Sequence, residues 1–155
     1  MCEYSDAMKP CPYIRAYMAG IALPTAFLLI ALTLFCIARF VYDLPLPIER
    51  AIVFPMALIP NLFGLWNVLY VAIRRSRHWN IGVHGALLPF LIGPGGVLIA
   101  YRLGVLHIVG NELVYFRVVH VPFARILIVF PLAVAVYYLI WKYVVDFFNR
   151  ILELA

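Results

Sequence analysis

The chain alternates long apolar runs with short polar links. The runs extend over residues 16–38, 51–73, 79–101 and 126–145. Each has the ~20 residues that are needed to cross about 30 Å of hydrocarbon, if Lys142 in the fourth run reaches the membrane surface with its long side chain. A transmembrane β-barrel would instead show alternating segments of ~10 residues. The pattern therefore predicts an all-α membrane protein, a bundle of four transmembrane helices.

The segments at the two ends belong to the same single membrane domain. Residues 1–15 form a polar N-terminal leader, and residues 146–155 form an amphipathic tail. The first apolar run exceeds the ~7–15 residues of a signal-peptide core, so we expect an uncleaved signal anchor. The tail continues helically, and we expect it to lie along the membrane surface.

Prolines interrupt every predicted helix. They are Pro24, Pro55, Pro60, Pro89, Pro94 and Pro131. A proline inside a helix frees a backbone carbonyl and bends the axis, and neighbouring membrane helices can satisfy the freed group. We therefore expect kinked helices.

The link between the third and fourth helices has the composition of β-strands. Residues 103–123 place β-branched and aromatic residues on both sides of Gly110-Asn111. Such a dipeptide between two strand-like runs indicates a hairpin turn. The link predicts a short β-hairpin at the membrane surface, with an extended amphipathic loop as the alternative.

Composition supports the membrane assignment and argues against nucleic-acid binding. Of the 155 residues, 66% are hydrophobic and 12% are charged, whereas a soluble domain carries about 25% charged residues. The formal net charge is +5, but the twelve Lys and Arg residues are scattered at the segment ends rather than gathered in one patch. We expect the lipid bilayer as a partner and no nucleic acid.

The basic residues also predict an orientation. Arg74, Arg75 and Arg77 form the one dense basic cluster, and such clusters stay on the cytoplasmic side. We therefore expect a cytoplasmic anchor at these arginines and both termini in the cytoplasm. The stretch of residues 61–96 is typical of small prokaryotic membrane proteins, which favours the inner (cytoplasmic) membrane of a prokaryote.

Small residues repeat along one face of the third predicted helix. They are Gly82, Ala86, Pro89, Gly93, Gly96 and Ala100, at spacings of three and four. Small residues let membrane helices approach closely, so this face predicts helix packing. The alternative is that the break at residues 93–96 exposes backbone carbonyls to a substrate or an ion.

Polar residues within the runs are the candidate functional residues, because hydrocarbon makes them costly. Asn61 is placed to hydrogen-bond across a tight helix contact. Asn67 and His84 fall toward the same side of the membrane, and with Asn80 they would form a small polar intramembrane site between the second and third helices. The alternative is a set of interhelical hydrogen bonds, each of about 0.6–2 kcal/mol.

Catalytic chemistry finds little support. No Asp or Glu lies well within a run, and His84 has no second histidine at a matching depth, so we expect no catalytic residue, metal or cofactor. Cys2 and Cys11 lack a nearby histidine for zinc, and a disulfide between them would need an oxidising side of the membrane. We expect a non-enzymatic accessory, assembly or scaffold subunit that packs against other membrane helices, as a homo- or hetero-oligomer. A small oligomeric transporter or channel is the alternative.

Overall fold

The first helix is a single uninterrupted element. The computed structural model describes residues 11–43, 53–74, 80–115 and 119–154. In it, α1 extends over Pro12–Phe40, and the proline opens the first turn, where a missing N–H costs no helical hydrogen bond. The helix is longer than the predicted run of 16–38, and its end turns include Arg15 and Arg39.

The second helix, α2, extends over Phe54–Arg74 and crosses α1 at a very short distance. A Cβ atom added at Gly20 of α1 would lie 2.6 Å from the Phe63 carbonyl oxygen and 2.8 Å from the Gly64 Cα atom. Ala16 and Ala19 of α1 are buried beside this crossing. Only residues without bulky side chains allow two helix backbones to approach this closely, so the crossing fixes where α1 and α2 meet.

The third apolar run is divided into two helices, α3 (Ile81–Ala86) and α4 (Leu88–Arg102). Pro89 has no N–H to offer the carbonyl of Gly85 one turn earlier. The Phe90 N–H bonds instead to the Leu87 carbonyl at 3.2 Å, which is a tighter turn than an α-helix makes. The break at Leu87 is the physical form of the predicted kink.

A small antiparallel sheet follows α4. Its strands are β1 (Leu106–Val109), β2 (Glu112–Tyr115) and β3 (Val119–Pro122), in the order β1-β2-β3. Gly110 begins the two-residue turn between β1 and β2 with a φ of 57°, a conformation that favours glycine. The predicted hairpin is therefore present, and a third strand that the sequence did not predict extends it.

The last helix is as long as α1, at 29 residues. It consists of α5 (Phe123–Leu139), a π-helical segment (Ile140–Val145) and α6 (Asp146–Ile151). At its end, the Leu154 N–H bonds to the Asn149 carbonyl at 2.8 Å and the Glu153 N–H to the Arg150 carbonyl at 3.0 Å. This is the Schellman arrangement, and it closes the predicted tail at Ile151 as part of the same helix.

By length and composition, four helices of the described chain can cross a membrane. They extend over Pro12–Phe40, Pro55–Arg74, Ile81–Arg102 and Phe123–Ile151. The protein is thus mostly helical, with one small sheet. The chain divides into two compact units, the first formed by Met1–Trp79 and Tyr143–Ala155 and the second by Asn80–Lys142.

Candidate functional site

Asn67, a candidate from the sequence, is fully buried in the first unit and bonds to two other segments of the chain. Its Nδ2 donates to the Ala16 carbonyl at 2.8 Å and to Asn149 Oδ1 at 2.8 Å. In return, Asn149 Nδ2 donates to Asn67 Oδ1 at 3.1 Å. Both donors of the Asn67 amide and its acceptor are therefore used. We call Asn67 and Asn149 the amide pair.

The packing of α1 on α2 brings the amide pair within reach of Ala16. An added Gly20 Cβ would also lie 3.0 Å from Asn67 Cβ, so the backbone of α1 passes directly over this side chain. The Ala16 carbonyl can accept the amide as well as its helical N–H, because a carbonyl oxygen has two lone pairs. A buried polar group with satisfied hydrogen bonds stabilises one specific helix arrangement.

Asn61, on the exposed side of α2, bonds within its own helix and to α1. It is exposed, its Nδ2 donates to the Ala57 carbonyl at 2.6 Å, and its Oδ1 accepts from the Tyr17 hydroxyl of α1. The bond to Tyr17 joins α1 and α2 a second time. Tyr17 also lies against Gly64, where an added Cβ would be 2.5 Å from the tyrosine ring.

Asn80 and His84, the other two candidates, belong to the second unit. Asn80 is the N-cap of α3, and its Oδ1 accepts from the Gly82 N–H at 2.8 Å, which is a helix-capping role. His84 is buried, and its ring meets the Trp141 ring edge-on, with centroids 5.7 Å apart. Asn67 lies in the first unit, so its predicted contact with His84 and Asn80 stays a prediction.

The predicted small-residue face has partners along only part of its length. At Gly82 an added Cβ would lie 2.7 Å from the Tyr138 ring, and at Gly93 it would lie 3.4 Å from the Phe130 ring. At Gly96 it would meet no heavy atom within 4 Å in the part of the chain that the structure describes. Ala86 and Ala100 are half-buried. The face therefore packs on the last helix at Gly82 and lies open at Gly96.

The closest contact of α3 involves Gly85, which is not among the residues of the predicted small-residue face. An added Cβ at Gly85 would lie 2.0 Å from Trp141 Cγ and 2.3 Å from Trp141 Cβ. Trp141 is completely buried in the π-helical segment. The ring thus lies across the backbone of α3, and His84 contacts its edge.

The basic anchor is tied to the end of the last helix. Arg74 Nη1 donates to the Leu154 carbonyl at 3.1 Å, and Arg15 Nη2 lies 3.6 Å from Glu153 Oε2. The predicted anchor residues Arg75 and Arg77 lie outside the described residues. The start of α1, the end of α2 and the end of α6 therefore meet at one end of the first unit.

The chemistry of these residues is that of packing and capping. Carboxamides donate and accept hydrogen bonds but do not titrate near neutral pH. No group of three His, Cys, Asp or Glu side chains with the spacing of a metal site occurs among the described residues. Outside the helices, burial raises the pKa of the Tyr115 hydroxyl in β2.

Fold and polar contacts together define a helical protein with four candidate membrane spans, whose helices are joined by hydrogen bonds from asparagine side chains. No protein-family model, curated protein or solved structure matches the chain.

Proposed function

We propose that the chain is a non-enzymatic integral membrane protein that serves as an accessory, assembly or scaffold subunit of a membrane complex. The amide pair is the observation that carries this proposal. Asn67 is the one fully buried polar side chain of α2, and all its bonds go to the protein itself, at Ala16 and Asn149. A transport site would need these groups to face a path for solute.

The other polar candidates support the same role. Asn61 bonds to Tyr17, Asn80 caps α3, and His84 packs on Trp141. Each side chain stabilises a helix or a helix contact. Polar groups that serve in this way are the expected means of holding membrane helices together, since lipid tails provide no hydrophobic driving force between helices.

The part of α4 around Gly95 and Gly96 has room for a partner helix. Around Gly95 and Gly96, an added Cβ would meet nothing within 4 Å in the described chain, and Leu98 beside them is exposed. Glycines weaken a helix, and in membranes they are used where another helix approaches. We propose that a helix of a second copy or of another subunit packs here.

We also propose that both termini face the cytoplasm of a prokaryotic inner membrane. The support is the cluster of Arg74, Arg75 and Arg77 in the sequence. Cys11, at the same end of the first unit, is disulfide-bonded, and a stable disulfide requires the oxidising side. The two features make opposite demands. A reporter protein fused after Ala155 decides between them: cytoplasmic activity supports this orientation, and periplasmic activity contradicts it.

Native mass spectrometry of the protein released from mild detergent tests the subunit role. We expect a species heavier than the 17.7 kDa chain, with a fixed ratio of subunits. A lone monomer at every detergent concentration would contradict the proposal. Proteoliposomes that pass ions or small solutes in the wild type, but not in the Asn67→Leu variant, would support the transporter instead.

A further inference from the structure

The sheet carries exposed apolar side chains at the tip of its first hairpin. Ile108 and Val109, next to the turn, are 56% and 59% exposed. A sheet face that meets water usually carries polar residues at such positions. Two ionisable side chains of the described strands contact each other, since His120 Nδ1 and Glu112 Oε2 are 3.0 Å apart. The tip therefore presents one exposed apolar side chain on each face of the sheet, with the Glu112–His120 contact beside Val109.

Two arginines that have no hydrogen-bond or ion-pair partner among the described residues flank this sheet. Five described basic residues each have a contact within the chain: Arg15, Arg39, Arg74, Lys142 and Arg150. By contrast, Arg102 and Arg125 are exposed and make no ion pair or hydrogen bond within the described residues. Arg102 is the last residue of α4, and Arg125 lies in the first turn of α5. Their guanidinium groups are available to an anion.

The position of the sheet in the chain specifies which anion. It connects the end of one candidate span at Arg102 to the start of the next at Phe123, so it begins and ends where lipid phosphates lie. Exposed Tyr101 adds an aromatic residue of the kind found at membrane interfaces. A guanidinium group binds phosphate through paired hydrogen bonds.

We propose that the sheet end of the second unit binds anionic phospholipid. The Ile108–Val109 tip enters the interfacial layer of the bilayer, and Arg102 and Arg125 bind lipid phosphate groups. This proposal rests on the membrane insertion proposed above. It goes further by assigning the sheet to the lipid rather than to water or to a second protein chain.

Spin labels on the full chain in lipid nanodiscs test both the insertion of the tip into the bilayer and the binding of phosphate by the two arginines. A ketone-bearing amino acid is introduced at Ile108, His120 or Leu132, one position per variant, and is coupled to a nitroxide that leaves the cysteines untouched. Collision rates with oxygen, which is enriched in lipid, are compared with those of a water-soluble nickel chelate. The discs contain phosphatidylcholine alone or mixed with phosphatidylglycerol. Exposed Leu132 in α5 reports membrane insertion itself.

We expect oxygen to dominate at Ile108 and Leu132 and the nickel chelate to dominate at His120. In the phosphatidylglycerol discs, Arg102→Gln with Arg125→Gln shifts Ile108 toward the nickel chelate. The charge-matched pair Arg39→Gln with Arg150→Gln produces no such shift. In phosphatidylcholine alone, where the choline cation offsets each phosphate, the Arg102 and Arg125 substitutions cause a smaller shift.

Each of the other outcomes contradicts one specific claim of the proposal. If Leu132 reads lipid but Ile108 reads water, the sheet proposal is wrong and the membrane assignment stands. If Ile108 is shielded from both reagents, a protein chain covers the tip instead of lipid. Equal behaviour of both arginine pairs excludes the phosphate contacts. If Leu132 itself reads water, the proposed membrane insertion fails.

Discussion

The side-chain amides of Asn67 and Asn149 hydrogen-bond to each other in both directions across 82 residues of sequence. The pair joins α2 to α6, and the bond from Asn67 to the Ala16 carbonyl adds α1. Three helices of the first unit are therefore connected through one buried side chain. These hydrogen bonds fix the positions of α1, α2 and α6 along one another. Contacts between apolar side chains alone would define those positions less well.

Removing one member of the amide pair should cost more than its bonds alone. Asn67→Ala leaves the Asn149 amide buried without this partner, so we expect a loss of about 1–3 kcal/mol in the free energy of unfolding. Asn67→Ala with Asn149→Ala should cost less than the sum of the single variants. Reversible unfolding in mixed micelles measures these values, with Leu65→Ala, 60% exposed on the same helix, as the control. Strict additivity would show that the two amides do not interact.

The crossing of α1 and α2 should tolerate no added methyl group. Gly20→Ala would force a Cβ to 2.6 Å from a backbone oxygen that cannot move independently of its helix, which we expect to cost about 1–3 kcal/mol or more. Gly96→Ala is the matched control, because its Cβ meets nothing within 4 Å in the described chain. It should be neutral or stabilise the monomer by up to about 1 kcal/mol. Equal thermal stability of the two variants would argue against the crossing.

The two glycines of α3 should differ in their response to alanine. At Gly85 the new Cβ meets the base of the Trp141 side chain, whereas at Gly82 it meets the outer edge of the Tyr138 ring. A ring edge can swing away, but Trp141 Cβ is fixed by the backbone. We therefore expect Gly85→Ala to lower the unfolding midpoint clearly more than Gly82→Ala. Adding Tyr138→Leu should restore the midpoint of the Gly82→Ala variant but not that of the Gly85→Ala variant. The reverse order would contradict the packing of Trp141 across α3.

Tyr115 should make the protein sensitive to alkaline pH. Burial raises the pKa of its hydroxyl because the phenolate loses hydration. The folded state therefore holds this proton more tightly than the unfolded chain does. The resulting stability is complete below the ordinary tyrosine pKa of about 10 and is lost as pH rises through the raised value. The melting temperature of the wild type should fall more steeply above about pH 10 than that of Tyr115→Phe. Parallel curves would exclude a raised pKa of the Tyr115 hydroxyl.

The length and apolar character of the four helices could be predicted because both are local properties of the sequence. The hairpin was also readable, since Gly110-Asn111 supplies a turn between two β-branched runs. The third strand was not, because no comparable turn dipeptide marks the link between Tyr115 and Val119. Its Pro122 even argues against a central strand, and it fits here because β3 lies at the edge of the sheet.

For the amide pair, the sequence indicates one of the two residues but not the other. Asn67 stands out in the sequence as a polar residue in an apolar run, but Asn149 lies in the tail that the sequence predicts at the membrane surface. The π-helical segment before it changes the angular phase of the helix, so a regular period does not indicate where Asn149 points. Gly85 was missed for a related reason. The spacing Gly82, Gly85, Pro89 fits one helix face as well as the spacing Gly82, Ala86, Pro89 does.

Photo-crosslinking from Gly96 in native membranes tests the subunit role most directly. Benzoylphenylalanine replaces Gly96 on the open face of α4, and in a control variant it replaces Leu127, which is 77% exposed on α5. The proposed helix partner predicts a protein adduct of defined mass from position 96 and chiefly lipid adducts from position 127. Lipid adducts alone from both positions would contradict a helix partner at this face and, with it, the role as a subunit.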